Sequence, residues 1–192
     1  MVRWKPEARD RLQAAAFELF AEQGFEDTTV AQIAEAVGLT ERTFYRHFAD
    51  KREVLFGGQD QVRQAFADGA AAAAADAAPL LVVQAAVAAG AAFFAEGRRP
   101  WALLRHRVVA ATPELREREL LKMASLASVL VDALHERGIA EPAATLAAES
   151  GALVFRVAFD EWITSGTDQP LTEVISAVFE ELGAVTSAST SS

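Results

Sequence analysis

The sequence predicts an all-α protein of about nine helices, and three observations predict it. Apolar residues recur at three- and four-residue spacing along nearly the whole chain, and no segment shows the alternation a strand requires. Helix signals punctuate these stretches: Thr, Asp or Pro opens many of them, and Gly24, Gly38, Gly97, Gly138 and Gly166 close them. The composition is 52% hydrophobic and rich in Ala, the residue with the highest helix propensity.

Composition bounds the chemistry. The 192 residues are enough for a sizeable core in one or two domains. They carry 18 Lys and Arg against 27 Asp and Glu, a net charge of −9. That balance argues against broad nucleic-acid binding through bulk charge, but a site-specific reader needs only a local basic patch. With no cysteine, disulfides and thiolate metal sites are excluded. His47, His106 and His135 are far apart and lack ligand spacing, so no metal or cofactor is expected. The long apolar stretch 80–95 is rich in Ala and Gly and too short to span a bilayer. The N-terminus lacks the apolar run of a signal peptide. No membrane association is expected, and the cytoplasm is the expected location.

The first helix opens at Pro6 and Glu7, which suit its first turn and the positive end of its dipole. It runs to about Gln23, with Leu12, Ala15, Ala16, Leu19 and Phe20 as the inner stripe, and is expected to carry no specific chemistry. Thr29 and Gln32 form a capping box for a second helix. Ile33, Ala34 and Val37 share one face of it, and Gly38 ends it. Thr40 caps a third helix over 41–48, and Asp50 with Glu53 forms another capping box that starts the next. On the third helix Phe44 and Phe48 stack inward at i, i+4. Arg42, Thr43, Arg46 and His47 fall on the opposite side, with Tyr45 at the border.

That outer face has the chemistry of a base reader. Arg donates two bonds to a guanine edge, and Thr bonds a base or touches a thymine methyl. Lys51 and Arg52 are placed for phosphates. A helix-turn-helix presents its second helix to the major groove in this way. The arm over residues 1–5, with Arg3, Trp4 and Lys5, is open to two readings: a phosphate or minor-groove contact, or simple disorder.

Residues 24–55 resemble the TetR family of transcriptional regulators. The resemblance rests on Gly24-Phe25, Thr28-Thr29-Val30, Ile33-Ala34, Val37-Gly38-Leu39, Thr43-Phe44-Tyr45-Arg46-His47-Phe48, Lys51 and Glu53-Val54-Leu55. It implies that Thr28, Thr29, Arg42, Thr43, Tyr45, His47 and Lys51 occupy positions that contact DNA; the wheel adds Arg46. Val30 stands where some relatives carry an Arg.

A long helix is expected over 51–78, weakened at Gly57-Gly58, since each interior Gly costs about 1 kcal/mol against Ala. The pair reads either as a kink for close packing or as a hinge. The helix over 80–96 is apolar nearly all round and therefore buried. Helices over 98–111, 113–137, 143–165 and 171–185 follow. The domains expected are 1–52 for the helix-turn-helix and 53–185 for ligand binding and dimerisation, with 186–192 a disordered tail.

The last two helices have apolar stripes wider than one face, as in a central core helix or one shared with a partner chain. By resemblance they form a homodimer interface, for which Val154, Val157, Leu171, Val174, Ile175, Val178, Phe179 and Leu182 are the candidates. Pocket candidates are Phe66, Phe93, Phe94, Trp101, Leu104, Met123, Leu126, Phe155, Phe159 and Trp162, with Arg105, His106 and Arg156 as polar groups. Arg156 either pairs with Asp160 one turn on or meets an anionic ligand head. Some relatives with a stretch similar to Pro113-Glu114-Leu115-Arg116 respond to acyl-CoA, so an acyl-CoA-like small-molecule effector is expected.

The resemblance thus implies a repressor bound as a homodimer to a palindromic double-stranded DNA operator and released by a small apolar or amphipathic ligand. The alternative is a helical adaptor that binds protein without reading DNA sequence. No catalysis is expected: the chain has no phosphate-binding Gly loop, no nucleophile elbow and no catalytic Cys.

Overall fold

The structure is a computed structural model that describes residues 7–94, 97–166 and 168–187. The basic arm over 1–5 and the end of the tail, 188–192, lie outside the described residues. Among those described there are ten α-helices, one 3-10 turn and no strand. The helices are α1 (Ala8–Gln23), α2 (Val30–Ala36), α3 (Glu41–His47), α4 (Glu53–Phe56), α5 (Gln59–Ala72), α6 (Pro79–Ala91), α7 (Arg99–Ala111), α8 (Pro113–Glu136), α9 (Ala143–Thr164) and α10 (Leu171–Ser187). The 3-10 turn, Ala92–Phe94, follows α6. Thr186 and Ser187, expected in the tail, continue α10.

The expected helix over 51–78 is two helices, which accounts for the tenth. Gly57 is extended (φ −58, ψ 136) and Gly58 is left-handed (φ 94, ψ −3) between α4 and α5. Two consecutive glycines leave the backbone free to leave the helix, and the left-handed conformation suits Gly alone at low cost. A Cβ at Gly58 would also meet Phe93 Cζ at 2.9 Å. Gly58→Ala therefore carries left-handed strain of about 1–2 kcal/mol plus that clash. A Cβ at Gly57 meets mainly the flexible end of Arg9, whose Nη2 lies 3.0 Å away. Gly58→Ala is expected to melt at a clearly lower temperature than Gly57→Ala; equal melting of the two would count against the wedge.

α5 also ends early. Ala73 is extended, and the guanidinium of Arg137 takes the carbonyls at the helix end: Nη2 donates to Ala70 O (2.8 Å) and Ala73 O (2.7 Å), and Nη1 to Ala74 O (2.8 Å). A cation suits a helix C-terminus, and here it overrides the propensity of the Ala run.

The chain divides into two compact units. The first holds residues up to Gly57 together with 101–117; the second holds 58–100 and 118 onward. The sequence placed the boundary at 52/53 and left 101–117 with the C-terminal part. In the structure Val108, Val109 and Leu115 enter the first unit's core beside Leu12, Phe20, Phe25, Ile33, Phe44, Phe48 and Leu55. Periodicity shows that a helix has an apolar face but not which partner covers it.

In the second unit α5, α6 and α9 pack around small residues, and α10 packs on α6 and α9. Gly69 on α5 sits against Ala85, Ala86 and Ala89 of α6. Gly90 on α6 sits against the Phe66 ring, and Gly151 on α9 against Val83. Leu126, Leu130 and Leu134 bury the inner face of α8.

Candidate nucleic-acid interface

α2 and α3 are built by their caps. Thr29 accepts from the Gln32 amide (3.2 Å), and the Gln32 side chain accepts from the Thr29 amide (2.8 Å), completing the capping box. Gly38, left-handed at φ 67, turns the chain, and Leu39 N–H donates back to Ala34 O (2.9 Å). Thr40 caps α3 by accepting from the Thr43 amide (3.2 Å), and the two threonine hydroxyls lie 3.1 Å apart.

The inward face of α3 is fixed by Phe44 and Phe48, 0% and 3% exposed with ring centroids 5.2 Å apart. Outward, Arg42, Tyr45 and Arg46 are exposed. Tyr45 is 54% exposed and packs its ring against the edge of Phe44, so it belongs to the outer face rather than the border. Thr43 and His47 are half-buried beside it; His47 Nε2 is buried with no hydrogen-bond partner among the described residues. Thr29 is exposed at the start of α2.

Three residues expected at DNA, Thr28 by resemblance and Lys51 and Arg52 at phosphates, are engaged by the protein itself. Thr28 is 1% exposed, and its hydroxyl donates to Gly24 O (2.7 Å) and accepts from Gln23 Nε2 (3.1 Å). Lys51 Nζ donates to backbone carbonyls of the α1–α2 connection. Arg52 pairs with Asp50 at 3.0 Å, and that hydrogen bond holds its pKa above the ordinary range. Asp50 also accepts from the Glu53 amide (3.0 Å) to cap the turn before α4.

α1 does more than back the hairpin. Arg11 donates to Val37 O at the end of α2, Gln13 Nε2 to Val54 O in α4 (2.8 Å), and Gln23 to the Thr28 hydroxyl. The sequence assigned these residues no role, because polarity on a helix face does not name the carbonyl it will meet.

Charge is divided unevenly. The first unit holds eleven Lys and Arg against twelve Asp and Glu; the second holds seven against fifteen. Nearly all the net negative charge therefore lies in the second unit, and the patch on α3 sits in a unit close to neutral.

Residues 12–56, spanning α1 to α4, match the family described as bacterial regulatory proteins, tetR family. Over 58 residues the chain is 53% identical to the HTH-type transcriptional regulator TcmR of Streptomyces glaucescens. The likeness to the TetR family is carried by residues 12–56. The match to TcmR covers 30% of this chain and 26% of that one, so the chain spans about a quarter of the length of this curated TetR-family relative. The fold extends the likeness. A TetR-family regulator from Syntrophomonas wolfei superposes with a TM-score of 0.65 at 14% identity, over 92% of this chain and 93% of that one. The regulator FadR from Bacillus subtilis, solved in complex with stearoyl-CoA, gives a TM-score of 0.61 at 20% identity, over 89% and 95%.

The pocket candidates separate. Six form one aromatic cluster in the second unit. Phe94 lies 5.3 Å from Phe93, 5.1 Å from Phe159, 6.1 Å from Phe155 and 6.3 Å from Trp162, and Phe66 packs edge-on to Phe155 at 5.4 Å. Phe66, Phe155 and Trp162 are buried, and Phe93, Phe94 and Phe159 are half-buried. Met123 is half-buried and Leu126 fully buried on α8. Trp101, Leu104 and Arg105 belong to the first unit. Trp101 stacks near Phe17 at 6.0 Å, Leu104 packs on the core, and Arg105 Nε donates to Leu55 O (2.6 Å) with its guanidinium over Phe56. Arg105 thus braces α4. Arg156 is exposed on α9, and the pair with Asp160 is not formed among the described residues. The cations beside the cluster are Arg98, 4.3 Å from the Phe93 centroid, and Arg99, 6.0 Å from Trp162. Their one sequence signal was adjacency to Phe93-Phe94.

The dimer candidates also divide. Val154, Leu171, Val174, Ile175 and Phe179 are buried within the protomer, and Val178 and Leu182 are half-buried. Val157 is exposed on α9, and Leu146 and Leu153 join it on one face; Val185 is exposed on α10. A stripe wider than one face covers both core and surface, and the sequence does not divide it.

Proposed function

We propose that the protein is a transcriptional repressor that binds a palindromic double-stranded DNA operator as a homodimer and is released by an amphipathic small molecule. The first unit reads DNA; the second binds ligand and a second copy. The carrying observation is the outer face of α3, where Arg42, Tyr45 and Arg46 are exposed while Phe44 and Phe48 anchor the helix. Two such helices related by a twofold axis meet successive major grooves about 34 Å apart. Selection of bound sequences from a random duplex pool tests this. An enriched palindrome supports it. No enrichment with folded, dimeric protein would reject it and favour a protein-binding adaptor.

The apolar face of α9 supports the homodimer. Leu146, Leu153 and Val157 recur at seven and four residues, the seam spacing of packed helices. A twofold interface pairs such a patch with itself. Leu153→Arg/Val157→Arg is expected to give a folded monomer by light scattering and to lose palindrome binding. A variant that remains dimeric would remove this face from the interface.

For the effector, the aromatic cluster with Arg98 and Arg99 beside it suits an apolar body with an anionic head. The fold likeness to FadR, solved with stearoyl-CoA, points to the acyl-CoA class. The effector acts by its differential affinity for two arrangements of the units, and the operator reciprocally weakens effector binding. The Gly57-Gly58 break joins the units and is the hinge in this scheme. No single described helix is long and apolar enough to cross a membrane, and the expected place of action is the cytoplasm.

A further inference from the structure

Lys51 sits in the turn between α3 and α4. Its Nζ donates to Phe25 O and Thr28 O (2.9 Å), reaches Glu26 O at 3.4 Å, and lies 4.2 Å from the centroid of the Phe25 ring. An ammonium has three N–H donors and no acceptor. Here carbonyls of one connection draw on them, and the ring face adds a cation–π contact. A phosphate reaching this ammonium competes with charge-assisted hydrogen bonds to part-buried carbonyls.

Those carbonyls all lie in the connection between α1 and α2, which ends at Thr29, the N-cap of α2. The connection is also held by the Thr28 hydroxyl, which donates to Gly24 O, and by Gln23, which donates to that hydroxyl. α2 in turn carries α3 through the Gly38 turn.

We infer that Lys51 is a positioning residue for DNA binding: it ties the α1–α2 connection to the α3–α4 turn, and so sets the placement of the Arg42 and Arg46 face, instead of contacting a phosphate. This inference rests on the DNA-binding reading. It departs from the role that the family resemblance implies for Lys51.

The test uses full-length Lys51→Met and Lys51→Arg on the selected operator, across a series of salt concentrations well below the melting temperature of each. Lys51→Met is expected to weaken binding by about tenfold or more, with the slope of log affinity against log salt unchanged. Lys51→Arg, which can donate to the same carbonyls, is expected to recover most of the affinity. A lost phosphate contact would make the slope shallower by about 0.9, and that result overturns the inference. Unchanged affinity overturns it too, since a lysine that only stabilises the fold leaves binding intact where the protein is fully folded. Amide exchange on the free protein gives a readout independent of any operator. Lys51→Met should speed exchange across 25–32, with α5 to α10 unaffected; unchanged exchange there rejects the tie. If the wild type selects no sequence, the DNA-binding reading fails, and exchange still decides whether Lys51 fastens the connection.

Discussion

Arg42→Ala/Arg46→Ala is expected to abolish the preference for the operator over random duplex while leaving the protein folded. Both guanidinium groups project from α3 away from the Phe44 and Phe48 anchors. Their loss opens no cavity. Each bidentate contact to a guanine edge contributes about 1–3 kcal/mol of discrimination, so the pair accounts for roughly one and a half to four decades of preference. The measurement is competition between operator and random duplex for wild type and variant, with circular dichroism as the control for folding. A variant that keeps its preference would move the reading face away from Arg42 and Arg46. Lys51→Met is the informative contrast. It should weaken binding and lower the base preference less than the arginine pair does, because both guanidinium groups remain and only their placement loosens.

Gly90→Ala is expected to be the most destabilising single methyl in the second unit. The added Cβ would stand 2.0 Å from Phe66 Cε2 and 2.3 Å from Cδ2. Phe66 is fully buried and held edge-on by Phe155, so the ring has no exposed direction in which to move. Overpacking a closed core costs typically about 1–3 kcal/mol, and this contact belongs at the top of that range. For a chain of this size each 1 kcal/mol lowers Tm by about 2–4 °C. Gly183→Ala is the control: it lies in α10, and its Cβ would meet nothing within 4 Å. That change should raise Tm slightly through helix propensity. The double variant Gly90→Ala/Phe66→Leu should regain part of the loss by removing the ring from the methyl's path. A Gly90→Ala protein that melts with Gly183→Ala would show that α5 and α6 are not pressed together as described.

What the sequence determined by itself is local. The capping box at Thr29 and Gln32, the Gly38 turn, the Thr40 cap and the inward pair Phe44 and Phe48 depend on residues within one or two turns of each other. Short-range spacing therefore placed α2, α3 and their outer face. It also gave the helical class and most helix ends, which Gly and Pro mark. What only the tertiary structure decided is the identity of each partner. Lys51 and Arg105 looked available, and each is held by a carbonyl brought in from elsewhere in the chain. Helix 101–111 carried an apolar face, and its core turned out to be that of the first unit. α9 and α10 carried apolar stripes wider than one face, and burial alone separated Val154 and Ile175 from Val157 and Val185. The reason is physical. Helix geometry is fixed by bonds between near neighbours, whereas a polar group or apolar face is satisfied by whatever the fold brings to it, and periodicity does not encode that distance.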